Sequence, residues 1–491
     1  MVEFRIDVLR ASFGLARDKP EEIQKQSGYS RQHPLQSHKK QRTYPRQIHM
    51  KPRTCSLRDR AQQRALEKNN VKKGGLNLKK GLLAVIVMLV VGCVFVFNPT
   101  ASWAQAKGPI KIGFISPLSG GMAANGKDML AGFELYLEQI GYQAAGRKIE
   151  LIVEDDEAVP ATGLTKTRKL VEKDGVHVVS GGLMASTGYA LAPYIDSKEI
   201  PMTYPIMAPD DLTQRQIPKW IVRTGWNSSQ PNHPLGEYAY QVLKLRKVVI
   251  VALDYAFGWE NAGGFQKTFE EAGGKVVQKI WTPLTTNDFS PYLAQISKEA
   301  DGVYAMFTGR TTLQFTKQFQ EFGLKGKLVL FGGGTTTDEH ALPSMGDEAI
   351  GVITALHYSE ALDNPANKKF VTAFRERAKK SASYYSEGTY TGARWIVEAI
   401  KNINGDVENR AKFMEALRKV EIKDVPRGDF KLDGYGNPIQ NVYIRKVEKV
   451  GGQLQNTVIH TYPNVSQFWK YKPEEFLKQP VYSREYPPLK P

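Results

Sequence analysis

The sequence predicts an α/β protein of two lobes, each a largely parallel sheet with helices on both faces, with a ligand cleft between them. Two observations predict this. Short apolar strands recur along the chain, and each runs into a loop of small, hydroxyl or amide residues that leads into a helical pattern. Strands alternating with helices build parallel sheets. The pattern also comes in two sets. Ligands of such sheets bind outside the carboxyl ends of the strands, so two sets facing each other enclose a cleft.

The first set begins at IKIGFIS followed by PLSGGMAANG (110–126). VHVVSGG with LMAST (176–187) and IPMTYP with IMAPDDLT (200–213) continue it. The pattern restarts at VVIVALD with YAFGWENAGG (248–264), then GVYAMFT with GRTTLQ (302–314) and LVLFGG with GTTTDE (328–339). KIELIVEDDE (148–157) reads as a further strand of the first set, with a helix starting over 164–171. In DMLAGFELYLEQIG, Leu130, Phe133, Leu137 and Ile140 share one helical face between Gly126 and Gly141. Phe265 and Phe269, and then Phe315, Phe319 and Phe322, form aromatic stripes at helical spacing and are expected in the core. Three more helices are expected around 370–374, 390–400 and 413–420. RGDFKLDGYGNPIQNVYIRKVEKVGG reads as a hairpin turning at Asp433-Gly434. Residues 464–491, rich in Pro, Tyr and Lys, read as a tail on the surface.

The formal net charge of +17 resembles that of a nucleic-acid binder until it is mapped. Of 67 basic and 50 acidic residues, 20 and 7 lie in positions 1–106, leaving 47 and 43 for the rest. The body is nearly neutral, which removes the main support for nucleic-acid binding. Lys79-Lys80, the apolar run Leu82–Phe97 and the SWA and AQA patterns before Gln105 and Lys107 have the three parts of a secretory signal peptide over 76–106. The run is shorter than the ~20 residues a membrane-spanning helix prefers. Cys93 in VVGC is an alternative site, for lipidation. The basic leader 1–75 fits a mis-assigned start, with a disordered extension as the alternative. Both cysteines, Cys55 and Cys93, lie in this front part, so a mature body would have none.

Enzyme motifs fail. There is no GxxxxGK[ST], no GxGxxG, no GxSxG and no HExxH. No catalytic residue, metal ligand or cofactor is expected. The acidic run Glu154–Glu157 sits at a strand end and reads as a solvated turn. What remains is recognition chemistry. LMAST places Met184, Ala185, Ser186 and Thr187 at a helix start, where free N–H groups and the helix dipole suit an anion such as a carboxylate. A Ser or Thr capping its own helix is the simpler alternative. Tyr255, Phe257 and Trp259 crowd one loop and are expected as ligand walls.

Several segments together resemble the substrate-binding proteins of branched-chain amino-acid ABC transporters, the leucine/isoleucine/valine-binding group of type I periplasmic binding proteins. They are IGFISPLSG with Gly132-Phe133-Glu134 after it, LVEKDGVHVVSGG leading into Ser186-Thr187, IPMTYP…DDLT, IVRTGWNSSQ, LDYAFGWE, NDFSPYLAQI and DGVYAMF. The resemblance covers about 109–450. It implies two Rossmann-like lobes joined by three crossovers and closing on a ligand. Lobe one is then 107–227 and 355–426, lobe two 228–354 and 427–463, and the tail 464–491. It implies ligand contacts at Asn125, Met184, Ser186, Thr187, Ile206, Ala208, Phe257, Thr308 and Gly334. It also implies a periplasmic monomer that delivers a small molecule to an inner-membrane permease and its ATPase. A sensor of the same fold is the alternative.

The departures from the family bear on the ligand. Amino-acid binders carry a hydroxyl residue where Met184 stands, a Thr where Ala208 stands, and an acid near Gly334 for the ligand's ammonium. Here the run is Gly332-Gly333-Gly334 and the nearest acid is Asp338. A buried ammonium without a partner is costly. With Met184, Ile206, Met207 and Phe257 as walls and Arg310 as a candidate charge partner, an aromatic or aliphatic carboxylate is expected, with an amide or urea-like solute as the alternative.

Overall fold

The computed structural model describes residues 107–491. The leader, the signal peptide, Cys55 and Cys93 lie outside the described residues. Strand β1 (Ile110–Ser116) runs through the middle of a six-stranded sheet. Its neighbours are β3 (Arg147–Asp155) and β4 (Val178–Gly181), both parallel to it. Beyond β4 lie β5 (Met202–Tyr204) and β6 (Ile221–Arg223), also parallel. The short β2 (Gln143–Ala144) turns back antiparallel on β3. Helices α1 (Ala123–Gln139), α2 (Pro160–Arg168) and α3 (Ala185–Lys198) follow β1, β3 and β4. No α-helix follows β5. Pro209 precedes a short 3-10 turn, and the Asp211 carboxylate takes the side chains of Arg215 and Gln216 at 2.9 Å each, which tightens that turn.

The second sheet is built around β7 (Lys247–Leu253), with β8 (Lys275–Thr282) on one side and β9 (Gly302–Met306), β10 (Val329–Gly333) and β11 (Ile353–Leu356) on the other, all parallel. Helices α4 (Asn232–Gln241), α5 (Ala256–Glu271) and α6 (Arg310–Glu321) accompany it. The expected helix after LVLFGG is absent, and 3-10 turns take its place. Two of the threonines explain this. Thr335 and Thr336 donate their hydroxyls to the carbonyls of Phe307 (2.7 Å) and Ala305 (3.1 Å), and so bind the turn to the neighbouring strand. Such local bonds compete with helix formation.

The chain leaves the first sheet after β6 and returns to that lobe after β11, where α7 (Pro365–Ala378), α8 (Tyr384–Asn402) and α9 (Arg410–Arg418) lie. Helix α8 starts in a capping box made by Ser383 and Ser386. It packs closely on α1: a Cβ at Gly132 would come 2.0 Å from the Ser386 carbonyl oxygen. A third passage brings β12 (Lys431–Leu432), β13 (Pro438–Val450) and β14 (Gln453–Val465) to the edge of the second sheet, β13 antiparallel to β11. The hairpin expected at Asp433-Gly434 exists, but its first strand is two residues long. The larger hairpin is β13–β14, turning at Gly451-Gly452, both with positive φ. Strand β14 has no clean alternation, because polar and apolar residues mix on both of its faces and the pairing carries register shifts. Phe315 and Phe319 are buried as expected, whereas Phe322, just past the helix, is 42% exposed.

Three buried arginines hold the passages between the sheets. Arg223 donates to the carbonyls of Met207 (3.1 Å) and Trp226 (2.9 Å). Arg445 donates to those of Tyr358 (2.8 Å) and Gly334 (2.7 Å). Arg427 reaches the carbonyls of Thr224 and Gly225 and pairs with Glu387.

The segment after β14 does more than lie on the surface. Phe468, Phe476 and Tyr482 are buried, and His233 sits against the rings of Tyr471, Phe476 and Tyr482. Burial pushes the His233 imidazole down to about 3, so it is neutral and can share a proton with the Tyr482 hydroxyl at 3.1 Å. Arg215 donates to the carbonyls of Phe476, Leu477 and Gln479, while Gln266 donates to that of Pro488. Tyr482→Ala is therefore expected to cost about 3 kcal/mol of stability, as for other buried aromatics. A urea unfolding curve measures this, and an unchanged midpoint would show that the tail is not part of the cooperative unit.

Candidate functional site

Strand β4 ends in Gly181 and Gly182, both with positive φ, and delivers the chain to the start of α3. Met184 occupies the N-cap position in extended conformation, with no side chain capping the helix. Neither Ser186 nor Thr187 therefore fills the capping role the sequence allowed. The N–H groups of Ala185, Ser186 and Thr187 are the first-turn donors that a helix cannot satisfy internally. The Thr187 side chain faces α2: a Cβ built on Gly163 would lie 2.8 Å from its methyl. Its buried hydroxyl has no hydrogen-bond partner. The free first-turn N–H groups and the positive end of the helix suit an anion at this place.

Aromatic rings from four chain segments meet between the two sheets. The Trp226 ring, after β6, contacts Phe257 of α5 edge-on at 5.6 Å between centroids, Tyr384 of α8 at 5.8 Å and His357, after β11, at 5.3 Å. Tyr385 lies against Tyr384 at 4.0 Å and edge-on to His340 at 5.1 Å. Two hydrogen bonds join the lobes at this point. Tyr385 shares a proton with Thr308 Oγ1 at 2.8 Å, and the Asn125 amide donates to His340 Nε2 at 3.1 Å. The imidazole then carries its proton on Nδ1 and donates it to Asp338 Oδ1 at 2.9 Å.

The predicted residues do not all come together. Asn125, Phe257 and Thr308 join this cluster, directly or through Trp226 and Tyr385. Ala185 and Met184 are buried at the start of α3. Ile206 rests on α8, its Cδ1 2.7 Å from where a Cβ of Gly388 would stand. Met207 turns the other way, into the core under Gly182, and is not a wall of the cleft. Ala208 is buried and its carbonyl accepts from the Ser228 N–H and hydroxyl. Gly334 has a packing role: a Cβ there would lie 2.6 Å from Leu356 Cβ, and its carbonyl is held by Arg445. Arg310 is exposed and donates to Asn287 Oδ1 at 2.6 Å, away from the rings. Tyr255, Phe257 and Trp259 are not in a loop. Tyr255 is the N-cap of α5 and the other two lie in its first turn, with Trp259 Nε1 donating to Asp254 at 2.9 Å. Trp226, His340, His357, Tyr384 and Tyr385 were not singled out from the sequence. The Tyr-Tyr pair opening a helix was the one visible sign.

A second polar contact between the lobes lies nearby. The Tyr189 hydroxyl of α3 donates to Glu260 Oε1 of α5 at 2.6 Å, and it accepts from the Asp211 N–H at 3.1 Å. Burial raises the Asp210 carboxyl to about 6 and pushes the Glu260 carboxyl well above its usual range, with Asp210 adding to the latter. Buried Arg223 works in the opposite direction on Asp210. Both acids therefore bind protons more readily in the folded protein than in the unfolded chain. The contribution of Asp210 is fully present below the ordinary carboxylate range and is lost as pH rises through about 6, while that of Glu260 is lost at higher pH. The melting temperature is expected to fall between pH 5 and pH 7.5, and Asp210→Asn is expected to flatten that fall. An equally steep fall in Asp210→Asn would assign it elsewhere.

The profile of the periplasmic binding protein family matches residues 109–453. The chain belongs to this family. A curated relative, Leu/Ile/Val-binding protein homolog 6 of Brucella melitensis biotype 1, is 33% identical over 384 residues, covering 77% of this chain and 96% of that protein. Among solved structures, an ABC transporter substrate-binding protein from Sphaerobacter thermophilus is 34% identical with a TM-score of 0.69, covering 73% of this chain and 99% of that one. A solute-binding protein of an ABC transporter from Rhodopseudomonas palustris BisB5, in complex with 3,4-dihydroxybenzoic acid, is 31% identical with a TM-score of 0.70, covering 74% and 99%. This periplasmic binding protein is thus of the ABC-transporter type, and its two sheets are the two lobes of that fold.

Proposed function

We propose that this periplasmic binding protein receives an aromatic carboxylate and hands it to an ABC importer, without chemistry on the ligand. The observation that carries the reading is the group of rings, Trp226, Phe257 and Tyr384, gathered between lobes whose first-turn N–H groups at Ala185–Thr187 suit an anion. The ring is held by these walls with Met184 and Ile206, and the carboxylate by the helix start. The solute bound by the Rhodopseudomonas relative supports this class. The lobes bend near 227, 354 and 426 to close over one ligand per monomer. Export follows the signal peptide, with cleavage before Gln105 or Lys107 and Cys93 as the alternative anchor.

A second reading has its own support. Asp338 is buried and its Oδ2 has no partner, beside the His340 and Tyr385 rings. It supplies, four residues on, the acid that is lacking at Gly334, and an α-ammonium would suit it. Calorimetry with benzoate, 4-hydroxybenzoate and 3,4-dihydroxybenzoate against leucine, isoleucine and valine separates the two. Tighter binding of the aromatic acids is expected. Sub-micromolar binding of leucine, or no binding of any aromatic acid, would overturn the assignment.

A further inference from the structure

His357 and Trp226 carry polar atoms that the protein leaves unused. Each side chain is 1% exposed. Neither ring nitrogen of His357 has a hydrogen-bond partner, and neither does Trp226 Nε1. Buried polar groups are almost always paired, because leaving one unpaired forfeits its hydration without return. A histidine kept only for packing would be expected to bond at least one neighbour. Here its neighbours are ring faces and edges: Trp226 at 5.3 Å and Tyr384 at 5.9 Å. The pair is bracketed by the cleft. Trp226 touches Phe257, and Tyr384 touches Tyr385, which bonds Thr308 across the lobes. Both residues also stand on passages between the sheets, one after β6 and one after β11.

The chemistry of the pair narrows what it can recognise. Burial, with Arg427 and Arg445 nearby, holds the His357 imidazole well below its usual range, so it is neutral and offers one donor and one acceptor. The indole offers one donor. A carboxylate accepts only and would leave the imidazole acceptor facing a lone pair. A methyl group would leave every polar atom unpaired. A hydroxyl accepts from one N–H and donates to the imidazole nitrogen, and so satisfies both kinds of group.

We infer that His357 and Trp226 are specificity-determining residues that select a ring hydroxyl on the ligand, so that the preferred solute is a hydroxylated aromatic acid and not an unsubstituted one. This rests on the aromatic-carboxylate reading. The test is calorimetry of the purified protein with benzoate, 3-hydroxybenzoate and 4-hydroxybenzoate, read as the ratio of affinities. The unaltered protein is expected to prefer one hydroxybenzoate over benzoate by about tenfold or more, the scale of one buried hydrogen bond. His357→Phe is expected to bring that ratio to within about threefold while benzoate affinity changes little, and His357→Gln, which keeps a donor and an acceptor, to retain part of it. A general packing role would lower all three affinities together and leave the ratio unchanged, which would overturn the inference. Equal binding of benzoate and both hydroxybenzoates by the unaltered protein would overturn it too, while leaving the aromatic-carboxylate reading intact. Failure of all three to bind would remove both. If His357→Phe does not fold, Trp226→Phe decides: the ratio is expected to fall, and an unchanged ratio overturns the inference.

Discussion

Phe257→Ala is expected to weaken binding of the preferred aromatic acid by about 30-fold or more, the ~2 kcal/mol or larger cost of removing a buried aromatic anchor. The side chain is 7% exposed, in the first turn of α5, edge-on to Trp226 and tilted on Tyr255 at 5.9 Å. It thus contributes area from lobe two and also keeps the indole ring in place. Phe257→Leu keeps much of the apolar area and is expected to lose less. Calorimetry gives the affinity, and a melting curve separates loss of fold from loss of contact. Full affinity in Phe257→Ala would place the ligand elsewhere.

Arg427→Met is expected to destabilise the fold by about 3–5 kcal/mol, because it leaves a buried carboxylate without its partner. Both side chains of the Arg427–Glu387 pair are fully buried, with Arg427 Nε 3.0 Å from Glu387 Oε2. The same guanidinium reaches the carbonyls of Thr224 and Gly225 where the chain first leaves lobe one, and the Gln440 side chain at the start of β13. Removing it loosens two passages at once. Urea unfolding should show the loss, and adding Glu387→Met should recover part of it, since an apolar pair of similar volume leaves no charge buried alone. A stability change in Arg427→Met of under ~1 kcal/mol would show that Glu387 finds other partners.

Much of the architecture was legible in the chain. β1, β4, β7, β9 and β10 are short apolar runs that hardly admit another reading, and the stripes Phe265–Phe269 and Phe315–Phe319 have the 3.6-residue spacing of a core face. The order of these segments carried the family resemblance as well. Several of the elements that went unread lack local contrast, although β11 is an apolar run that was passed over. β6 is three residues long, β14 mixes polar and apolar residues on both faces, and the turn after β10 is set by side-chain bonds to residues far along the chain.

The site divides along the same line. The start of α3 was visible because LMAST after an apolar strand is a local signal, and Phe257 stood out within a few residues of its strand. Trp226, His357, Tyr384 and Tyr385 are separated by up to 159 positions, and no periodicity or spacing links them. Side-chain direction decided the rest. Ile206 and Met207 are adjacent and equally apolar, yet one faces α8 and the other the opposite face of the first sheet's core. Likewise, Arg310 is spent on Asn287, while Asp338 is buried beside His340. The sequence by itself determined that two strand–helix sets would form and that their loops would carry recognition chemistry, because burial of apolar strands and exposure of their loops follow from local pattern. Which side chains meet between the lobes, and which polar atoms are left free there, was decided only by the three passages of the chain. These bring distant segments within hydrogen-bond reach, a range of about 3 Å to which sequence distance is no guide.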